Sequence, residues 1–135
     1  MATEIRIPID RDADVVTARQ RGRDLAAQVG FAGSDLTVIA TAISEVSRNI
    51  VTYAKRGEII LDVAEERDRR GIVVVARDQG PGIADVDRAL RDGFSTAGSL
   101  GLGLPGARCL MDDFGIESSV GSGTVVTMKK WMKTG

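Results

Sequence analysis

The sequence predicts one α/β domain built as a two-layer sandwich, with helices on one face of a mixed, mostly antiparallel sheet. Its length, 135 residues, suits a single domain over residues 1–135. Apolar residues recur with the helical period in some segments and alternate at period two in others. Two alternating segments, GEIILDVAEE and GIVVVARD, flank the charged turn RDRR and are typical of a hairpin. Together these patterns favour the sandwich.

The N-terminal part predicts a strand and two helices. EIRIPI alternates isoleucines on one face, and Pro8 indicates that this strand lies at a sheet edge. A helical pattern over about 13–29 is stopped by Gly30. The side chain of Ser34 is expected to cap the second helix, which is expected to continue to about residue 54.

The C-terminal part predicts a helix and a closing hairpin. The helix follows the polar segment DGFSTAGS and is expected from about Leu104 to near Gly115. IESSV, the turn GSG and TVVTMKKWM then form two strands. Cys109 falls on the apolar side of ARCLMDD, which predicts a buried thiol.

Composition excludes several classes of function. The formal net charge is −1, so we expect neither nucleic acid nor a membrane surface as a partner. The absence of histidine excludes His-based catalytic triads, HExxH zinc sites and phosphorylation of a histidine in this chain. A single cysteine and the lack of a signal-peptide core or long apolar run predict a cytoplasmic protein.

The first motif is SLGLGLPG, whose Gly101, Gly103 and Gly106 fit the spacing of dinucleotide-binding turns. An NAD site is excluded because a polar loop, and no strand, precedes the glycines. Glycines still let backbone amides approach an anion, and Pro105 suits the first turn of a helix. The motif therefore predicts a phosphate cradle, with a flexible loop before a capped helix as the alternative.

The second motif is ARDQGPGI, in which a predicted strand ends at Asp78 and two glycines, Gly80 and Gly82, follow. A carboxylate fixed there can accept a hydrogen bond from an adenine amino group, while the glycines turn tightly beneath the base. The alternative is an ordinary Asp-Gly turn.

The third motif is ISEVSRNIVTYA, in which Glu45 and Asn49 share one face of a helix. A carboxylate and an amide at this spacing can serve as a general base and an oxygen ligand for Mg²⁺. A solvated helix pair is the alternative, and Arg48 is expected to be solvated or paired with an acid.

In chain order the three motifs are Glu-x-x-x-Asn at 45–49, Asp-x-Gly-x-Gly at 78–82 and Gly-Leu-Gly-Leu at 101–104. In that order they resemble the N, G1 and G2 boxes of the GHKL ATPases and kinases, which have the Bergerat fold. GSGT at residues 121–124 resembles that family's late Gly-x-Gly-Thr motif. Within the family, DGFSTAGSLGLGLPGARCLMDDFGIESSVGSGTVVTMKKW is especially similar to the small serine/threonine switch kinases of bacterial stressosomes. The resemblance covers residues from about 13 to 131.

The resemblance implies a role for each matching position. It makes Glu45 the catalytic general base and Asn49 the Mg²⁺ ligand, and it places a lid over about residues 86–100. For ATP binding it implies the following positions: Asn49, Asp78, Gly80, Gly82, Gly101, Leu102, Gly103, Leu104 and Thr124.

The resemblance also implies a biological role. The chain would use ATP and Mg²⁺ to phosphorylate STAS-domain proteins of the RsbS and RsbR type, and when released would activate a PP2C-type phosphatase such as RsbU. Two alternatives stay open. An anti-sigma factor kinase is disfavoured because the histidine that often follows the N box there is replaced in TYAK. A non-catalytic ATP-binding switching module is disfavoured by Glu45, which binding alone does not require.

Overall fold

The computed structural model describes residues 4–83 and 103–133. The proposed lid at 86–100, together with Gly101 and Leu102, lies outside these residues. The elements follow in chain order: β1 (Ile5–Ile9), α1 (Asp12–Val29), α2 (Ser34–Asn49), a π-helical turn (Ile50–Ala54), β2 (Gly57–Glu66), β3 (Arg69–Asp78), α3 (Gly103–Leu110), β4 (Asp113–Ser119) and β5 (Gly123–Trp131).

The five strands form one sheet in the order β1-β2-β3-β5-β4. Every pairing between the strands of the described part is antiparallel, so the parallel component expected in a mixed sheet does not occur among them. β1 lies at an edge, as Pro8 predicts. The predicted fold class is confirmed.

The helices and the sheet enclose one apolar core. Ile43 of α2, Leu61 of β2 and Val74 of β3 are completely buried within it. Gly22 of α1 lies against the Ile43 side chain, where a Cβ atom would collide with Ile43 Cδ1. The absence of a side chain at Gly22 therefore lets α1 and α2 approach closely.

Two expectations about helix α3 are wrong. The helix ends at Leu110, and the chain from Asp113 to Gly115, expected to be helical, already pairs with β5. This pairing overrides the local helical pattern. Cys109 is exposed because α3 turns Leu104 and Ala107 toward the core and leaves the cysteine on the outer side.

The second helix also differs from the prediction at both ends. Ser34 is its first residue, and Gly33, with φ of 62°, occupies the N-cap position without a side-chain cap. After Asn49 the helix widens into the π-helical turn, in which Lys55 N–H donates to Ile50 O at 2.8 Å. π-helical turns are rare and often occur near functional sites.

Candidate active site

One end of the sheet gathers polar side chains from three strands. Asp78 of β3 is paired with Gly57 of β2 on one side and with Thr124 of β5 on the other, and Thr124 is paired with Ser118 of β4. Paired residues of an antiparallel sheet point to the same face. This is the helix-covered face. Val74 lies four residues before Asp78 on β3, so both residues share a face, and Val74 is buried in the core.

Asp78 closes the strand with a turn through its own side chain. Its Oδ1 accepts a hydrogen bond from Gly80 N–H at 2.9 Å, as in an Asx-turn. The residue is half-buried, and Oδ2 has no hydrogen bond to any residue of the described part. The turn thus fixes the carboxylate while leaving one oxygen able to accept a hydrogen bond from a ligand.

Both glycines after Asp78 are required by their surroundings. A Cβ atom at Gly80 would lie 2.6 Å from Cβ of Ala54, at the end of the π-helical turn. Gly82 has a φ of 79°, and a Cβ there would collide with the carbonyl oxygen of Ser119. The chain beneath the carboxylate is therefore in contact with both the helical layer and β4, where no side chain fits.

A third glycine, Gly57, also has no room for a side chain here and was not among the predicted site residues. A Cβ at Gly57 would collide with Arg77 O and would lie 3.0 Å from Cβ of Asp78. The only local signal was a glycine at the start of a strand, which by itself does not indicate a site.

Thr124 presents a buried hydroxyl beside Asp78. Its Oγ1 lies 2.8 Å from Oγ of Ser118, and the residue is 5% exposed. Gly123, with φ of 91°, lies so close to Asp78 that a Cβ there would collide with Asp78 O. Ser118 was also missed, although the alternation in IESSV places it on the same face as Ile116.

Glu45 joins the helical layer to the first residue of α3. Its side chain is 6% exposed, and Oε2 accepts a hydrogen bond from Gly103 N–H at 2.9 Å. Oε1 accepts from Arg48 Nη1 at 3.0 Å, which confirms that Arg48 pairs with an acid. A buried carboxylate thus lies against the amide end of a helix, where negative charge is favourable.

Asn49 lies one helical turn after Glu45 and is half-buried. Its side-chain amide makes no hydrogen bond within the described part of the chain, so these residues leave its oxygen able to coordinate a metal ion. Residues 4–83 and 103–133 contain no group of three or more acidic or cysteine side chains that could hold a metal ion. An amide oxygen with few protein partners suits Mg²⁺, which keeps waters and takes substrate phosphates as ligands.

The structure therefore forms two groups from the predicted residues. Asp78, Gly80, Gly82 and Thr124 meet at the sheet end, and Glu45 meets Gly103 between the helices. Leu104 is buried in the core behind Gly103, whose φ is 66°. The roles predicted for Gly101 and Leu102 fall outside the described residues.

The same segments match a family of known proteins. Residues 9–130 match the model of the histidine kinase-like ATPase domain. The chain belongs to this family. Across residues 4–83 and 103–133, no helix of this family member is both long and apolar enough to cross a membrane.

Within the histidine kinase-like ATPase family, two relatives indicate the subgroup. The chain is 47% identical over 120 residues to the serine/threonine-protein kinase RsbT of Bacillus subtilis, covering 89% of this chain and 90% of RsbT. It is 31% identical over 111 residues to an anti-sigma F factor of Caldanaerobacter subterraneus, covering 79% and 78% of the two chains. The homology to RsbT makes this family member an ATP-using protein serine/threonine kinase.

A solved structure shows the same fold. The RsbU and RsbW domains of a Mycobacterium tuberculosis protein match with a TM-score of 0.67 at 21% identity. The match covers 97% of this chain and 33% of the mycobacterial chain. The histidine kinase-like fold predicted from the three motifs is confirmed.

Proposed function

We propose that the chain transfers the γ-phosphoryl group of ATP to a serine or threonine hydroxyl of a STAS-domain protein, with Glu45 as the general base. In this step the partner's hydroxyl oxygen forms a bond to the γ-phosphorus. The bond between that phosphorus and the bridging oxygen breaks, ADP leaves, and Glu45 takes the hydroxyl proton. The buried Glu45 carboxylate at the first amide of α3 is the observation that carries the proposal.

The adenine would bind at the sheet end. Asp78 Oδ2 would accept a hydrogen bond from the exocyclic amino group, while Gly80 and Gly82 let the chain beneath the ring pack against Ala54 and β4. Thr124 supplies a hydroxyl beside the carboxylate. Because Gly80 also anchors Oδ1, the carboxylate is already oriented before a ligand arrives, which reduces the cost of binding.

The phosphates would bind near the start of α3. Gly103 presents its N–H there, and Gly101, Leu102 and Leu104 belong to the same proposed phosphate motif. Asn49 would hold Mg²⁺ through its amide oxygen, and the ion would supply charge stabilisation for the transferring group. Glu45 contacts Gly103 through the oxygen that would otherwise be free to accept a proton, so phosphate binding at this amide would release the base.

We propose that the chain acts as the switch kinase of a stress-response system in the cytoplasm. The substrates would be STAS-domain proteins similar to RsbS and RsbR, and the released kinase would activate a PP2C-type phosphatase similar to RsbU. The identity to RsbT supports this assignment.

A second candidate is an anti-sigma factor kinase that captures a sigma factor and phosphorylates a STAS antagonist. The similarity to anti-sigma F factors supports it. The anti-sigma F factor of Caldanaerobacter subterraneus is less similar to the chain than RsbT, with 31% identity against 47%.

The test separates nucleotide binding from phosphate transfer. In Glu45→Gln, the amide oxygen still accepts from Gly103 N–H, while the half-exposed Arg48 can turn to water. We expect unchanged or improved Mg·ATP affinity by calorimetry and a single-turnover transfer rate reduced about 10²–10⁴-fold. Glu65→Gln, on the exposed hairpin, is the matched control. A wild-type rate in Glu45→Gln would show that Glu45 is not the base.

Asn49→Ala gives the companion measurement. Loss of the amide oxygen should weaken nucleotide binding only when Mg²⁺ is present, and it should slow transfer as well. Equal losses of affinity with and without Mg²⁺ would exclude the metal role. Pull-down of purified PP2C phosphatase against sigma factor then decides between the two outputs.

A further inference from the structure

Ser118 has three hydrogen-bonding contacts around one hydroxyl. Ile83 N–H donates to Oγ at 2.7 Å, Gly123 O lies 3.1 Å from Oγ, and Thr124 Oγ1 lies 2.8 Å from it. A serine hydroxyl has one proton to donate and two lone pairs to accept with. Its partners therefore determine where its single proton points.

All three contacts can be hydrogen bonds in only one arrangement. Ser118 must then accept from Ile83 and from Thr124 and give its own proton to Gly123 O. In that arrangement the Thr124 proton is already used, so Thr124 offers only lone pairs to a ligand. Without a ligand this arrangement is favoured because it satisfies the most polar groups.

A second arrangement reverses the direction of the hydrogen bond between Ser118 and Thr124. Ser118 gives its proton to Thr124, loses the 3.1 Å contact to Gly123 O, and still accepts from Ile83. Thr124 is then free to donate its proton toward the pocket beside Asp78. The row of hydroxyls becomes a chain of donors that runs from the Ile83 amide to the ligand, in which each hydrogen bond strengthens the next.

We infer that Ser118 is a positioning residue that sets whether Thr124 donates or accepts, and so contributes to the choice of base. This inference rests on the proposed binding of ATP at this end of the sheet. An adenine presents an amino donor next to a ring-nitrogen acceptor. Asp78 suits the amino group, and Thr124 suits the ring nitrogen only as a donor, in the second arrangement. When Ser118 donates its own proton to Thr124 Oγ1, it no longer holds the Thr124 proton and it orients that hydroxyl, so Thr124 can donate to the ring nitrogen.

The experiment is a double-mutant cycle on Mg·ATP affinity, measured by calorimetry. Ser118→Ala should weaken binding about 5–30-fold, the range expected when a half-buried hydrogen-bond partner is removed. Thr124→Val should weaken it by a similar factor. Combining them should add little beyond Thr124→Val, because Ser118 acts through the threonine.

Two controls separate positioning from a general structural role. Ser119→Ala changes the neighbouring serine, which lies exposed on the opposite face of β4, and should leave affinity unchanged. Ser118→Thr retains the hydroxyl and should keep the affinity within about threefold of wild type, since the hydrogen-bond partner remains. Thermal unfolding without nucleotide verifies that each variant folds.

The outcomes distinguish the inference from the proposed function. If the wild-type chain does not bind ATP, the proposed function fails. If it binds ATP while Ser118→Ala and Thr124→Val have independent, multiplicative effects, or while Ser118→Ala has none, the inference alone is overturned. Failure of Ser118→Thr to restore affinity in a folded protein would also overturn it.

Discussion

Strands β3 and β5 run side by side from the candidate adenine pocket, at Asp78 and Thr124, to the opposite edge of the domain. Their two ends differ in whether polar groups have hydrogen-bond partners. At the pocket end, Asp78 is paired with Thr124, and the carboxylate keeps one oxygen without a partner in the described part. At the far end, Gly71 is paired with Trp131. There the indole N–H donates to Asp113 at 2.8 Å, and the Arg69 guanidinium lies 4.0 Å from the ring centroid.

The difference separates a region that stabilises the fold from the region that we propose binds a ligand. Both N–H groups of Trp131 have a partner within the protein, since the main-chain N–H donates to Asp112 at 2.8 Å and the indole N–H donates to Asp113. An unsatisfied acceptor in a partly buried position costs stability. Asp78 Oδ2, which has no partner among residues 4–83 and 103–133, therefore lowers stability unless another group binds it. The same pair of strands can be tested at both ends.

The largest expected effect lies at the far end. Trp131→Ala removes a ring that is 7% exposed, together with its hydrogen bond and its contact with Arg69. We expect the free energy of unfolding to fall by about 3 kcal/mol. The increase in thermal midpoint that Mg·ATP produces should persist. Trp131→Phe is the control, since it retains a ring and loses only the indole hydrogen bond; an equal loss in both variants would contradict this account.

The opposite pattern is expected for Asp78→Asn. The asparagine oxygen can still accept from Gly80 N–H, so the midpoint without nucleotide should stay close to that of the wild type. The amide lacks the free carboxylate oxygen and should abolish most of the ATP-induced stabilisation, which amounts to about 2.7 kcal/mol at a hundredfold excess over Kd. Asp68→Asn, at the exposed hairpin tip, is the matched control. An undiminished ATP effect in Asp78→Asn would remove the base-reading role.

A matched pair of glycines tests whether space or backbone conformation is limiting at the pocket end. Gly82 and Gly121 both have positive φ, of 79° and 84°. A Cβ at Gly82 would collide with Ser119 O, whereas a Cβ at Gly121 would meet no atom of the described residues within 4 Å. Gly121→Ala should cost about 1 kcal/mol from backbone strain alone, and Gly82→Ala should cost clearly more by denaturant unfolding. Equal costs would show that no close contact constrains Gly82.

The smallest effect concerns acid stability at the far end. The hydrogen bond from Arg69 lowers the pKa of Glu66 from its ordinary value, helped by Lys129. A lowered pKa in the folded state means that the contribution is present above the unfolded pKa and is lost as the pH falls through the folded pKa. Glu66→Gln should therefore flatten the acid limb of the midpoint-against-pH curve slightly. Because the group is exposed, high salt should erase the difference; a difference that persists in salt would contradict an exposed ion pair.

The motifs could be predicted because their chemistry is local. The i,i+4 spacing of Glu45 and Asn49 and the turn after Asp78 depend on neighbours in sequence. Ser118 and Gly57 could not be identified in this way, because their importance comes from the pairing of separate strands with β3 and β5. The early end of α3 has the same cause: pairing of β4 with β5 decides between helix and strand where the local pattern does not.

The contact between Glu45 and Gly103 could not be predicted from the sequence. The sequence indicates that Glu45 and Gly103 belong to two separate motifs, and only the fold brings the carboxylate and the amide within 2.9 Å. The lid predicted at 86–100 stays a prediction, since it lies outside the described residues.

The pairing of Asp78 with Thr124 has a consequence for how the protein is made. Residues 79–123 separate them in the sequence, so the candidate adenine pocket depends on a contact of high sequence separation. Such contacts form slowly, because a long loop must close before they contribute. A chain emerging from the ribosome therefore has no complete pocket until β5 has emerged and paired with β3. ATP that binds there would stabilise only the finished fold, and it would act mainly by slowing unfolding.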